Sequence, residues 1–201
     1  MSKIIVVGAT GTIGQAVAVM LAQTHAVIRV GFNSGDATVD LGSKTSIVDL
    51  VEKIGSFDAV VCAAGASRFG SAWEASDDDF KFSIQNKLMG QVNLVRAARH
   101  NISTGGSITL TSGMLARSPG PGTAPTAMVN AGLEGFTRAA ALDLAPDIRI
   151  NIVSPVFVTE TAQQMGMDTS GTLSAADTAK AYSVSLEGDM TGQVLDVQAY
   201  A

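Results

Sequence analysis

Short β-branched runs alternate along this chain with longer stretches of helical periodicity, and this alternation constrains the fold more than any other feature. Ile4 to Val7 reads as a first strand, Thr12 to Gln23 as a helix and Ala26 to Val30 as a second strand. The pattern continues through a helix at Ser43 to Ile54, a strand at Ala59 to Cys62 and a long helix at Asp77 to Arg99. The three aspartates Asp77, Asp78 and Asp79 suit the positive start of that helix. A strand at Ser107 to Thr111, a helix at Ala124 to Leu144 ended by Pro146, a strand at Ile148 to Val153, a helix at Ala175 to Leu186 and a strand at Gln193 to Val197 complete the series. Strands that alternate with helices pair in parallel through right-handed crossovers. The order therefore predicts an α/β Rossmann-type fold: a doubly wound parallel sheet in three α/β/α layers.

The size and composition agree. The 201 residues fit one domain spanning 1–201, and 46% hydrophobic against 15% charged residues supplies a sizeable core. The formal charge of −5, with no basic block, argues against a nucleic-acid partner. The single cysteine, Cys62, excludes an intrachain disulfide, and no Cys/His spacing suits zinc, so no metal is expected. His25 and His100 are far apart and read as ordinary surface or helix-end residues. No apolar stretch of about 20 residues is present to span a membrane. No signal-peptide pattern precedes the first strand, so the chain is read as cytoplasmic.

Immediately after the first strand comes Gly8-Ala9-Thr10-Gly11-Thr12-Ile13-Gly14, leading into a helix. A glycine at the strand end permits a tight turn, a second lets backbone amides approach a pyrophosphate, and a third lets helix and strand pack closely. The helix N-terminus then faces the anion. Gly-x-x-Gly-x-x-Gly alone is often a plain loop; strand, glycines and helix together favour dinucleotide binding. The Pro/Gly-dense Ser118 to Gly122 stretch lies between a strand and a helix, either an active-site loop or a surface turn.

At these residues the sequence resembles the short-chain dehydrogenase/reductase family, over nearly the whole chain. Gly8 to Gly14 is similar to the glycine spacing of its extended and atypical branches. Val39-Asp40-Leu41 falls where relatives set an aspartate against the adenine amino group, and Cys62-Ala63-Ala64-Gly65 resembles the family's Asn-Asn-Ala-Gly turn. Gly90 to Ala98 resembles its central interface helix, Ala131 to Pro146 followed by Ile148 to Pro155 is a close match, and Thr191 to Val197 resembles its last strand. The resemblance implies a nicotinamide cofactor held by Gly8, Thr10, Gly11, Thr12, Ile13, Gly14, Asp40, Leu41, Ala63, Ala64 and Gly65. In Ser154 to Thr161, similar to the family's nicotinamide-side loop, it implies contacts from Pro155 and Val158. It also implies a homodimer or homotetramer packed through the long helices.

Where an NAD-specific relative carries an acid after the second strand, this chain has Phe32-Asn33-Ser34. No carboxylate is there to repel a 2′-phosphate, and Asn33 and Ser34 can donate to one. NADP is the expected cofactor, with NAD the alternative.

The catalytic pattern breaks. The resemblance implies a tyrosine acid, a lysine that tunes it, a serine that orients the carbonyl and an asparagine that holds water. Counting from Ala131-Gly132-Leu133-Glu134-Gly135 puts Thr126 at the tyrosine position and Asn130 at the lysine position. The serine position falls on Gly113, beside Ser112, and the asparagine position on Lys87, beside Asn86. A threonine hydroxyl is far too weak an acid to replace a phenol with an ordinary pKa of about 10. Two readings stand: an oxidoreductase for a small carbonyl or alcohol with a non-standard site drawn from Ser112, Thr126, Asn130 and Lys87, or a dinucleotide-binding sensor or assembly protein without turnover. In the first, Lys87 and Asn130 are the family's asparagine and lysine exchanged between two helices. Tyr182 and Tyr200 lie outside the matched motif and read as structural.

Overall fold

A computed structural model describes residues 1–201. Seven parallel strands form one sheet: β1 (Lys3–Val7), β2 (Ala26–Gly31), β3 (Ala37–Thr38), β4 (Phe57–Cys62), β5 (Ile102–Thr111), β6 (Arg149–Ser154) and β7 (Val194–Asp196), in the spatial order β3-β2-β1-β4-β5-β6-β7. The chain leaves β1 toward β2 and β3, then returns to place β4 on the other side of β1. That reversal opens a crevice beyond the carboxyl ends of β1 and β4, where ligands bind in sheets of this kind.

Alternation along each strand feeds two cores. Ile5, Val7, Val60, Cys62, Ile108, Leu110, Ile150 and Ile152 face α2 (Lys44–Ile54), α4 (Met89–Ala98) and α5 (Ala124–Leu144). Ile4, Val6, Ala59 and Val61 face α1 (Thr12–Leu21) and α7 (Ala175–Glu187). On this second face β5 is polar, and its hydroxyls are matched from α7: Thr109 Oγ1 lies 2.7 Å from Ser185 Oγ, and Thr111 Oγ1 lies 2.7 Å from Tyr182 Oη. A buried hydroxyl left unpaired costs about 1–3 kcal/mol, so these pairs dictate how α7 seats on the sheet.

The alternation expected from the sequence holds, with three differences. The two-residue β3 and the short α6 (Thr159–Gln164) lack the length to give a periodic signal. The helix expected from Asp77 to Arg99 is divided: α3 (Asp77–Ser83), closed at its start by reciprocal Ser76–Asp79 hydrogen bonds, passes into a widened π turn at Ile84–Leu88 before α4. Hydrophobic periodicity does not register a single widened turn, and such turns gather at functional sites. No helix is long and apolar enough to cross a membrane.

Candidate active site

The turn after β1 is built by backbone packing. Gly8 has φ +87°, and a Cβ there would lie 2.7 Å from the Ala63 carbonyl oxygen; a Cβ on Gly14 would lie 2.0 Å from that of Gly8. The amides of Gly8 and Ala9 both donate to the Val30 carbonyl, at 2.8 and 3.1 Å, tying the turn to the end of β2. No side chain caps α1, so the first-turn amides of Thr12, Ile13 and Gly14 are left for an anion.

Beside this turn lies a cleft of about 770 Å³. Gly31, Phe32, Val39, Asp40 and Leu41 line one end, Gly8, Thr10 and Gly11 the middle, and Ala63, Ala64, Gly65 and Asn86 the other. Most of the expected cofactor residues are therefore gathered in one groove. Asp40 Oδ1 accepts from the Gly42 amide at 2.8 Å, which orients the carboxylate at the groove wall. A tight glycine turn, an open helix start and a long groove across the switch point fit a dinucleotide: the helix amides would hold its diphosphate and Asp40 its base. Ser34 lines a separate cavity on the α1 side with Thr10, Gln15 and Arg29, and Asn33 is exposed. Arg29 is engaged by Asp36, 3.0 Å away.

The four residues at the catalytic positions lie around the carboxyl end of β5. Lys87, in the π turn, is partly buried and donates from Nζ to the Ser112 carbonyl at 3.0 Å. Its stem passes Gly65, where a Cβ would lie 2.9 Å from Lys87 Cγ; the glycine of the Ala-Ala-Gly turn makes room for it. Burial draws the Lys87 pKa down to about 8. Asn130 is buried, its Nδ2 lies 3.0 Å from where a Gly113 Cβ would stand, and its Oδ1 has no partner. The Ser112 hydroxyl turns inward and donates to Glu134 Oε1 at 3.2 Å. Thr126 donates to the Arg68 carbonyl and lies against Ser67 Oγ, both at 2.9 Å, so its hydroxyl tethers the loop after β4.

Pro155 accepts through its carbonyl from the Met114 amide at 2.9 Å, and Val158 is buried at the start of α6. Glu160 accepts from the Ala175 amide at the start of α7, at 3.0 Å. Neither tyrosine reaches the cleft: Tyr182 is fully buried and Tyr200 packs against the same α1/α7 core.

Sequence reasoning missed a charged hub below the site. Glu134 is 4% exposed and lies 3.5 Å from Arg117 Nε; Arg117 also donates to Asp196 Oδ2 at 2.8 Å and to Ser154 Oγ at 3.0 Å. The one available signal was spacing: Thr126, Asn130 and Glu134 recur every fourth residue, on one helix face.

The family model described as enoyl-(acyl carrier protein) reductase matches residues 4–191. Protein lin1944 from Listeria innocua superposes with a TM-score of 0.94 at 35% identity, covering 98% of this chain and all of that one. A small-chain dehydrogenase solved in complex with NADPH superposes with a TM-score of 0.86 at 30% identity, covering 97% and 95%. The cyclic-di-GMP-binding biofilm dispersal mediator protein of Escherichia coli K12 is 32% identical over 122 residues, 58% of this chain. The chain spans half the length of that curated relative. It belongs to the short-chain dehydrogenase/reductase family.

Proposed function

We propose that the protein is an NADP(H)-dependent oxidoreductase that interconverts a small carbonyl compound and its alcohol, with Lys87 and Asn130 standing at the family's asparagine and lysine positions. The observation that carries this reading is the meeting of two structures at one place. The dinucleotide cleft ends at Gly65 and Asn86, and there the Lys87 stem packs on Gly65 while its ammonium reaches the end of β5. When bound, a reduced nicotinamide cofactor supplies a hydride. The chain supplies the diphosphate cradle at Thr12, Ile13 and Gly14, the base contact at Asp40 and Leu41, the cation at Lys87 and the open acceptor at Asn130. Pro155 and Val158 are assigned to the nicotinamide side. Ser112 and Thr126 serve by fixing Lys87 and the loop after β4. NADP is favoured over NAD because none of Phe32, Asn33 and Ser34, directly after β2, is an acid, the next one, Asp36, is paired with Arg29, and Ser34 lines a cavity with Thr10.

One observation favours the alternative, a dinucleotide sensor without turnover: the hydroxyls of Ser112 and Thr126 are both consumed inside the fold. Fluorescence titration with NADPH and NADH, followed by a scan of small ketones and aldehydes, separates the readings. Tighter NADPH binding with consumption of the reduced cofactor is expected; NADPH binding with no consumption across the panel replaces the enzyme reading with the sensor. The protein is assigned to the cytoplasm and to a homodimer or homotetramer through α4 and α5, whose Met89, Met128 and Leu142 are exposed; light scattering of the purified chain tests the assembly.

A further inference from the structure

We propose that Lys87 is itself the proton donor and acceptor of the reaction, handing a proton directly to the substrate oxygen without a phenol between them. The inference rests on the oxidoreductase reading above and concerns which atom moves the proton.

The argument begins with the donors available. The Tyr182 phenol is sealed in the core with its oxygen on Thr111, and burial pushes its pKa above the ordinary value. The Cys62 thiol is buried and pushed up to about 12, so it keeps its proton. The Thr126 hydroxyl is given to the Arg68 carbonyl and the Ser112 hydroxyl to Glu134. His25 stands 4.0 Å from Glu187 on α7, and His100 lines a groove between α2 and α4; neither borders the cleft.

Lys87 differs from all of these in geometry. Its ammonium carries three N–H groups, and one is used, on the Ser112 carbonyl at 3.0 Å. Two remain, on a side chain whose stem packs on Gly65 at the edge of the cleft and whose neighbour Asn86 lines it. The titratable group that acts on it is the Cys62 thiol at the end of β4; Gly65 lies against its stem, and Asn130 packs on Gly113, the residue after its Ser112 partner. Glu134 stands behind Ser112 and is turned to the Ser112 hydroxyl and Arg117. No carboxylate pairs with the ammonium, so the cost of burial outweighs the smaller opposing influence of Cys62 and draws its pKa down to about 8. A donor is most effective when its pKa lies near the working pH. Asn130 Oδ1, buried and unpartnered, is the acceptor left to hold a hydroxyl of the bound cofactor or substrate in line.

A bound dihydronicotinamide would supply the hydride, with its electron pair, and be oxidised as the carbonyl compound is reduced. As the C=O π pair moves onto oxygen, that oxygen takes a proton from Lys87 Nζ: the new C–H bond replaces the one given up by the hydride donor, the new O–H bond replaces the lysine N–H, and neutral Lys87 recovers a proton from water. Alcohol oxidation runs the same transfers backwards.

The test joins a titration that needs no turnover to a pH profile. In protein carrying ¹³C-labelled lysine, one side-chain resonance, assigned by its loss in Lys87→Met, should titrate near 8; a midpoint at the ordinary lysine value overturns the proposal. Carbonyl reduction should fall as pH rises through that midpoint and alcohol oxidation should rise. Lys87→Arg, whose guanidinium stays charged, should bind NADPH within about threefold of wild type yet lose more than 100-fold in turnover. Wild type that consumes NADPH while Lys87→Arg and Lys87→Met keep its rate and pH profile leaves the oxidoreductase reading standing and refutes the role of Lys87. Wild type that binds NADPH and reduces nothing refutes both.

Discussion

In the middle of the cleft the turn from Gly8 to Gly14 leaves the amides of Thr12, Ile13 and Gly14 open to an anion, and the geometry tolerates no Cβ at two of its three glycines. At the Gly65 end the chemistry rests on side chains, and each position around β5 holds a residue different from the one the family resemblance implies. A site made of backbone demands glycine at fixed places, whatever the ligand's reactive end becomes. A site made of side chains lets a cation move from one helix to another while the space it serves stays where it was.

The glycine cradle is the place to break this contrast most severely. Gly14→Ala places a methyl group 2.0 Å from the Gly8 carbonyl oxygen, so the turn must open. NADPH affinity measured by fluorescence should fall at least about 100-fold, equivalent to about 2.7 kcal/mol. Affinity within threefold of wild type would mean that the anion binds elsewhere.

Lys87→Met tests whether the side-chain end stores instability for function. The folded protein holds Lys87 near 8 against an ordinary 10.5, so between those values the unfolded chain binds more protons and stability rises with pH. Below about pH 8 the full penalty stands, of the order of 3 kcal/mol. Lys87→Met should therefore be more stable than wild type at pH 7, by about 1–3 kcal/mol in urea unfolding, and the gap should close toward pH 10.5.

Glu134→Gln sharpens the comparison at the hub. The buried carboxylate faces both Ser112 and Arg117, and its loss should cost about 1–3 kcal/mol. It should impair turnover more than NADPH affinity, since it loosens the strand end that holds Lys87. Arg117 also holds the Asp196 carboxyl below the usual carboxylate range. The contribution of that pair is present above the ordinary aspartate value and lost as pH falls through the lowered one.

The smallest effect is expected at Tyr182→Phe, which removes one hydroxyl from the seam between β5 and α7. Thermal unfolding should show a loss of about 1 kcal/mol, with NADPH affinity unchanged because Tyr182 lies outside the cleft.

The same contrast explains what the sequence makes legible. The strands are readable because their apolar runs are short, β-branched and bounded by glycine or proline, and the glycine turn because its backbone demands are local. Lys87 can be placed from helix register alone, yet its bond to Ser112 joins residues 25 positions apart. Ser112, beside the family's serine position, and Thr126, at its tyrosine position, can be named from register, but the direction of their hydroxyls depends on Glu134 and on the loop carrying Ser67 and Arg68. The Arg117–Asp196 pair spans 79 positions and leaves no trace in any local pattern.

The widened turn at Ile84–Leu88 acts like an inserted shim. In a regular helix each residue adds about 100° of rotation, so removing one residue from this stretch would re-aim everything on its α3 side by that angle relative to α4. Ser83, whose hydroxyl accepts from the Arg68 amide, and Asn86, whose oxygen accepts from the Ala66 amide, would then lose their grip on the segment that roofs the groove. A one-residue deletion there would therefore disturb the outer wall and the ammonium together, coupling closure of the groove to the proton chemistry beneath it.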